Sequence, residues 1–141
     1  MKLLIDTNVV LDLLLNREPF CNEAAKVLNL SDRAEVKEYI SASAITDIYY
    51  IAYRQLRDKT IVRNMIKTLL SIVSIACVTE QEIAEALELE WSDFEDSVQY
   101  AVAYLNEMDG IVTRNAADYK RAELSVWSPE QIVKKLELER G

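Results

Sequence analysis

The strongest constraint on this chain is an alternation that runs along its whole length. Short apolar or β-branched runs take turns with segments of helical periodicity. Leu3-Leu4-Ile5, Tyr39–Ser43, Ile72–Val78 and Ile111-Val112 read as strands, and Leu124–Trp127 as a fifth. Between them lie helical patterns. Thr7 and Asn8 offer caps for a helix over Val9–Leu15, and Pro19 closes the loop that follows. Residues 21–33 place Ala24, Ala25, Val27 and Leu28 on one side, and a third helix runs from Thr46 to about Leu56. Thr60 caps a fourth, striped by Ile61, Met65, Ile66 and Leu69. Thr79-Glu80-Gln81-Glu82 has the form of a capping box for a helix ending near Leu89. Ser92–Asp96 opens another, carrying Val98, Ala101, Val102 and Leu105 inward until Asp109-Gly110 stops it, with Gly110 in the left-handed cap position. Ser128-Pro129 starts the last. Strand–helix alternation of this kind implies an α/β fold, a mostly parallel sheet of four to five strands with helices on both faces.

A parallel sheet sends the carboxyl ends of its strands to one rim, where open α/β sheets bind ligands. The acids of this chain sit where that rim is expected. Asp6 ends the first strand, Asp47 follows the second, and Asn115 and Asp118 follow the fourth. Asp96 stands in the first turn of the helix leading into that fourth strand. Two carboxylates about 5 Å apart repel by about 3 kcal/mol at an effective dielectric of about 20. A cluster of four therefore calls for protonation or for a cation. The chain has no histidine, which removes the Ser-His-Asp and Cys-His triads and histidine zinc ligands, and its two cysteines are far apart. The cation expected is a hard one held by oxygens, Mg²⁺ or Mn²⁺. Such a site suits metal-assisted phosphodiester hydrolysis by activated water, with no covalent nucleophile from the protein.

The remaining features bound the reading. At 141 residues the chain is expected to form one domain, 1–141. Its longest mainly apolar stretch, Leu69–Val78, is too short to span a bilayer, and Asp6 and Asp12 break any signal-peptide core. A cytosolic protein with no membrane association is expected, with Cys21 and Cys77 as reduced core thiols. Its net charge of −8 argues mildly against nonspecific nucleic-acid binding. The one dense basic segment, Arg54, Arg57, Lys59, Arg63 and Lys67, is a solvated face unless it flanks the acidic rim. Tyr49, Tyr50 and Tyr53 fit core and dimer packing better than base stacking. Asp93 reads as a helix cap that shares a face with Asp96, Asp12 as a solvated helix residue, and Arg114 as a phosphate contact.

Taken in order, Lys2-Leu-Leu-Ile-Asp6-Thr7-Asn8, Ser41-Ala-Ser-Ala-Ile-Thr46-Asp47, Asp93-Phe-Glu-Asp96 and Ile111-Val-Thr113-Arg114-Asn115-Ala-Ala-Asp118-Tyr119 resemble the successive motifs of PIN-domain nucleases. The likeness is nearest to the VapC-like toxin branch and extends to the closing Ser128-Pro129-Glu130 helix. It implies an α/β/α sandwich, endoribonuclease activity with Mg²⁺ or Mn²⁺, homodimers, and inhibition by a cognate antitoxin. Asp6 matches the first metal carboxylate and Asp96 the third. Asp47 stands where the family most often has glutamate. The fourth place falls to Asn115 or to Asp118, one turn later. Asn8 and Thr113 would orient ligands or water. Two other readings compete: a PIN fold that binds RNA or protein with little or no cutting, and an aspartyl phosphatase, which Asn8 disfavours because that chemistry wants an acid two residues after Asp6.

Overall fold

The computed structural model describes residues 1–119 and 123–140. Five strands form one sheet: β1 (Lys2–Ile5), β2 (Lys37–Ser41), β3 (Ser74–Ala76), β4 (Gly110–Val112) and β5 (Ser125–Trp127). Their order is β3-β2-β1-β4-β5, and every pairing is parallel. The helices are α1 (Thr7–Leu14), α2 (Cys21–Asn29), α3 (Ala42–Leu56), α4 (Lys59–Leu70), α5 (Glu80–Leu89), α6 (Phe94–Leu105) and α7 (Pro129–Arg140). Single 3₁₀ turns follow α2 at Leu30–Asp32 and β4 at Ala116–Tyr119. This is the expected three-layer α/β/α sandwich.

The central strand explains the layering. Leu3 and Ile5 point to one side and Leu4 to the other, and all three are fully buried. On the first side they meet Val9 and Leu11 of α1, Val27 and Leu28 of α2, Ile48 of α3, Leu69 of α4, and Ile132 and Leu136 of α7. On the second, Leu4 and Ile111 meet Ala86 of α5 and Val98, Ala101 and Val102 of α6. A strand buried on both faces must be apolar at successive positions, as Leu3-Leu4-Ile5 is. Each such side chain contributes about 1.5–3 kcal/mol through burial. Among the described residues, no helix is long and apolar enough to cross a membrane.

Several local expectations shift. Asp6, not Thr7 or Asn8, caps α1. β2 ends at Ser41, whose hydroxyl caps α3 by accepting from the Ala44 amide at 3.2 Å, so α3 starts four residues before Thr46. Asp58 rather than Thr60 caps α4. The Thr79–Glu82 capping box forms as expected. Gly110 is not a helix cap: the left-handed residue after α6 is Glu107, at φ 54°, and Gly110 opens β4. It is needed for closeness, because a Cβ there would overlap the Trp127 ring and lie 2.6 Å from the Ser125 carbonyl oxygen. Cys21 is buried as expected, but Cys77 is exposed; both are free thiols. Tyr49 stacks on Tyr53, while Tyr50 is 63% exposed and belongs to no core.

Candidate active site

The strand order reverses between β1 and β4, and the chain leaves both strands at the same rim. β1 ends in Asp6, which takes an extended backbone (φ −66°, ψ 150°) and turns straight into α1. Its side chain is held from three directions. Oδ1 accepts from the Thr7 amide at 2.9 Å and from Gln99 Nε2 at 3.4 Å; Oδ2 accepts from Thr113 Oγ1 at 2.9 Å. Thr113, the first residue beyond β4, is fully buried. Asp6 is itself only 9% exposed, and burial pushes its pKa up against the pull of those hydrogen bonds and of the Arg114 charge.

Asp96 comes from the first turn of α6. Asp93 caps that helix, its Oδ1 accepting from the Asp96 amide at 3.2 Å. The Asp96 carboxylate accepts from the Tyr119 hydroxyl at 3.4 Å. Burial, then the charges of Asp93, Asp6 and Asp118, push the Asp96 pKa up to about 6. Burial, then Asp6, Asp96 and Asp93, drive the Tyr119 hydroxyl upward. Glu95 is pushed up by burial and by Asp47, Asp93 and Asp6. Charges that shift one another in this way share one field, although they come from four separate stretches of chain.

That field fills a cavity of about 500 Å³. Asp6, Asn8, Asp47, Asp93, Asp96, Asn115 and Asp118, all singled out from the sequence, line it. Asp47 reaches it from the second turn of α3, and Asp118 from the 3₁₀ turn after β4. Thr113 stands behind Asp6, and its Oγ1 also accepts from the Asn115 amide at 3.1 Å. Arg114 does not line the cavity. Its Nε lies 2.7 Å from Asp12 Oδ2, its Nη2 donates to Asp12 Oδ1 at 3.2 Å, and its guanidinium carbon sits 3.9 Å from the centre of the Phe20 ring. Asp12 is accordingly not solvated: it is 1% exposed and also faces Arg17 at 3.6 Å. None of the basic segment from Arg54 to Lys67 lines the cavity either.

Three contributors went unnoticed in the sequence. Gln99 lies one turn after Asp96 on α6, and its Oε1 is buried without a hydrogen-bond partner among the described residues. That spacing was the available signal. Glu95 sits inside the quoted Asp-Phe-Glu-Asp motif. Tyr119 follows Asp118 directly, but nothing local marks it as the donor to Asp96.

The donors are oxygens throughout, which is the chemistry of a hard divalent cation. Among the described residues, no three carboxylates converge tightly enough to form a ready metal-binding group. What they share is a cavity and an excess of negative charge, and both suit a cation that draws them together.

Comparison with known proteins places the chain among relatives. A family model described as PIN domain matches residues 2–117. No curated protein matches in sequence. Solved structures are similar in fold. VapBC2 from Rickettsia felis, bound to a DNA fragment from its promoter, has a TM-score of 0.72 at 17% identity, covering 91% of this chain and 98% of that one. A toxin–antitoxin complex from Klebsiella pneumoniae gives 0.68 at 21%, covering 89% and 96%. VapC20 from Mycobacterium tuberculosis, a sarcin-ricin loop cleaving toxin, gives 0.62 at 16%, covering 77% and 86%.

Proposed function

The chain belongs to the PIN domain family, and from that premise we propose that it is a divalent-metal-dependent endoribonuclease, the toxin of a toxin–antitoxin pair. The observation that carries the reading is a cavity at the strand-order switch that Asp6, Asp47, Asp96 and Asp118, from four segments of chain, line together. The fold likeness to VapBC and other toxin–antitoxin structures, one of them a toxin that cleaves the sarcin-ricin loop, supports the RNA substrate and the antitoxin partner. A homodimer is part of the same proposal.

Asp6, Asp96 and Asp118 would hold Mg²⁺ or Mn²⁺, with Asp47 reaching it directly or through water. When bound, the ion supplies charge neutralisation and a water of lowered pKa. The chain itself does the positioning. Thr113 and Gln99 fix the Asp6 carboxylate in one rotamer, and the α1 amide of Thr7 holds its third contact. Tyr119 donates to Asp96 Oδ1 and so steadies a carboxylate that lines the cavity. Asn8 and Asn115 offer neutral polar groups to water or to the RNA backbone without adding charge.

The test is cleavage of structured RNAs in Mg²⁺, Mn²⁺ and EDTA, alongside Mn²⁺ calorimetry. Metal-dependent cutting that leaves a 5′-phosphate is expected, and Asp6→Asn and Asp96→Asn should abolish both the cutting and the binding heat. A cyclic-phosphate product, or cutting that persists in Asp6→Asn, would overturn the mechanism. Asp47 and Asn115, where the family favours glutamate and aspartate, support a second reading, a PIN fold that binds without cutting. Mn²⁺ binding with no cleavage of any RNA would favour it.

A further inference from the structure

A second cavity, of about 570 Å³, opens beside the acidic one and shares Asp93, Asp96 and Asp118 with it. Its far wall is different in kind. Glu90 ends α5 in the left-handed conformation (φ 54°, ψ 31°) and swings the chain so that Trp91 enters the wall of this cavity. The Trp91 ring is half-buried against two tyrosines: its centre lies 5.0 Å from that of Tyr100 and 5.9 Å from that of Tyr119, edge to face. Tyr119 is the residue whose hydroxyl donates to Asp96. Trp91 thus lines the cavity while packed against two tyrosines, one of which is tied to the acid site.

The chemistry of the cavity narrows its ligand. The charged side chains among its described lining residues, Glu90, Asp93, Asp96 and Asp118, are all acids. A flat, uncharged ring is favoured, because a braced tryptophan offers a large π-face with little rotamer entropy to lose. Glu90 and Asp93 supply acceptors at the edge. We propose that this cavity is a nucleobase subsite: an RNA base next to the scissile phosphate unstacks and lies on Trp91 while the phosphate occupies the acidic cavity. This rests on the nuclease reading above. The carboxylate acceptors favour a base with an exocyclic amino group, adenine, cytosine or guanine, over uracil.

The test pairs two changes, one in the protein and one in the RNA. Trp91→Ala and Trp91→Phe are compared with the unaltered protein on a short cleavable RNA. The same RNA is then made with one abasic ribose at each position in turn. Cleavage is followed in Mg²⁺, together with the stopped-flow quench of tryptophan emission on mixing. Stacking of one base leads to an expected loss of about 5- to 150-fold in kcat/KM for Trp91→Ala. Trp91→Phe should keep most of the activity, and Mn²⁺ affinity should be unchanged in both. One abasic position should reproduce the loss in the unaltered protein and add nothing further in Trp91→Ala. That position-specific coupling is something a merely structural tryptophan would not produce. Folded Trp91→Ala cutting at the unaltered rate, or an abasic series with no sensitive position, overturns the proposal. If Trp91→Ala does not fold, the abasic series on the unaltered protein decides. If no RNA is cut but the quench depends on Trp91 and on one base, the nuclease reading falls and the base subsite stands; if neither signal appears, both fall.

Discussion

Glu38 offers a measurement that depends on no assumption about activity. It lies on β2 in register with Leu3 of the central strand, is 1% exposed, and neither of its carboxyl oxygens has a hydrogen-bond partner among the described residues. Burial alone pushes its pKa from the usual 4.5 to about 8. The folded protein thus holds Glu38 neutral at pH 7, while the unfolded chain releases the proton. Folding takes up a proton over this range, so the contribution to stability is complete below pH 4.5, declines as pH rises, and is fully lost above about pH 8. At about 1.4 kcal/mol per pH unit, the penalty is about 3 kcal/mol at pH 7 and about 5 kcal/mol above pH 8. Against a total stability of about 5–15 kcal/mol, that is large. The perturbation is Glu38→Met, unbranched and of similar length, with nothing to ionise. Urea unfolding from pH 5 to pH 9 should show the variant gaining on the unaltered protein by about 1.4 kcal/mol per pH unit until pH 8, then running parallel to it. A gap between the two that stays constant over the whole range would refute the argument, since it would mean that Glu38 does not titrate there.

Three further outcomes follow from contacts already described. Asp12→Ala strips the buried partner from Arg114, whose own side chain still reaches solvent, and should cost about 1–3 kcal/mol in urea unfolding at pH 7. Gly110→Ala forces a methyl against Trp127 and the Ser125 carbonyl, and a loss of about 1–3 kcal/mol is expected in the same assay. Thr113→Val keeps the shape but removes the hydroxyl that donates to Asp6; Mn²⁺ affinity by calorimetry should fall about 10- to 100-fold.

Much of this was readable from the chain because the informative residues were local. Leu3-Leu4-Ile5 suits a strand covered on both faces, and an acid directly after such a strand falls at the rim. The motifs around Asp47, Asp96 and Asp118 then placed three more acids on that rim without any knowledge of distance. The parts that were not legible depend on partners distant in sequence. Asp12 looked like an exposed helix residue because Arg114, its partner, lies 102 positions away. Gly110 looked like a helix stop because Asp-Gly is a common one; the Trp127 ring that requires it comes from the neighbouring strand. Ala42 and Ser43 look like strand because Tyr-Ile-Ser-Ala-Ser alternates well enough, whereas β2 ends at Ser41 and its hydroxyl caps α3, which begins at Ala42. Gln99 and Tyr119 matter only through side chains they meet in three dimensions.

The placement of β1 between β2 and β4 has a consequence for the order of events during synthesis. Asp6 leaves the ribosome well before its partner, because the Thr113 hydroxyl that secures it is 107 residues behind. The strand that carries Asp6 gains its second neighbour only when residues 110–112 emerge. A nascent chain therefore cannot assemble the rim piecemeal, and whatever reaction takes place there is withheld until the segment through Thr113 has been translated.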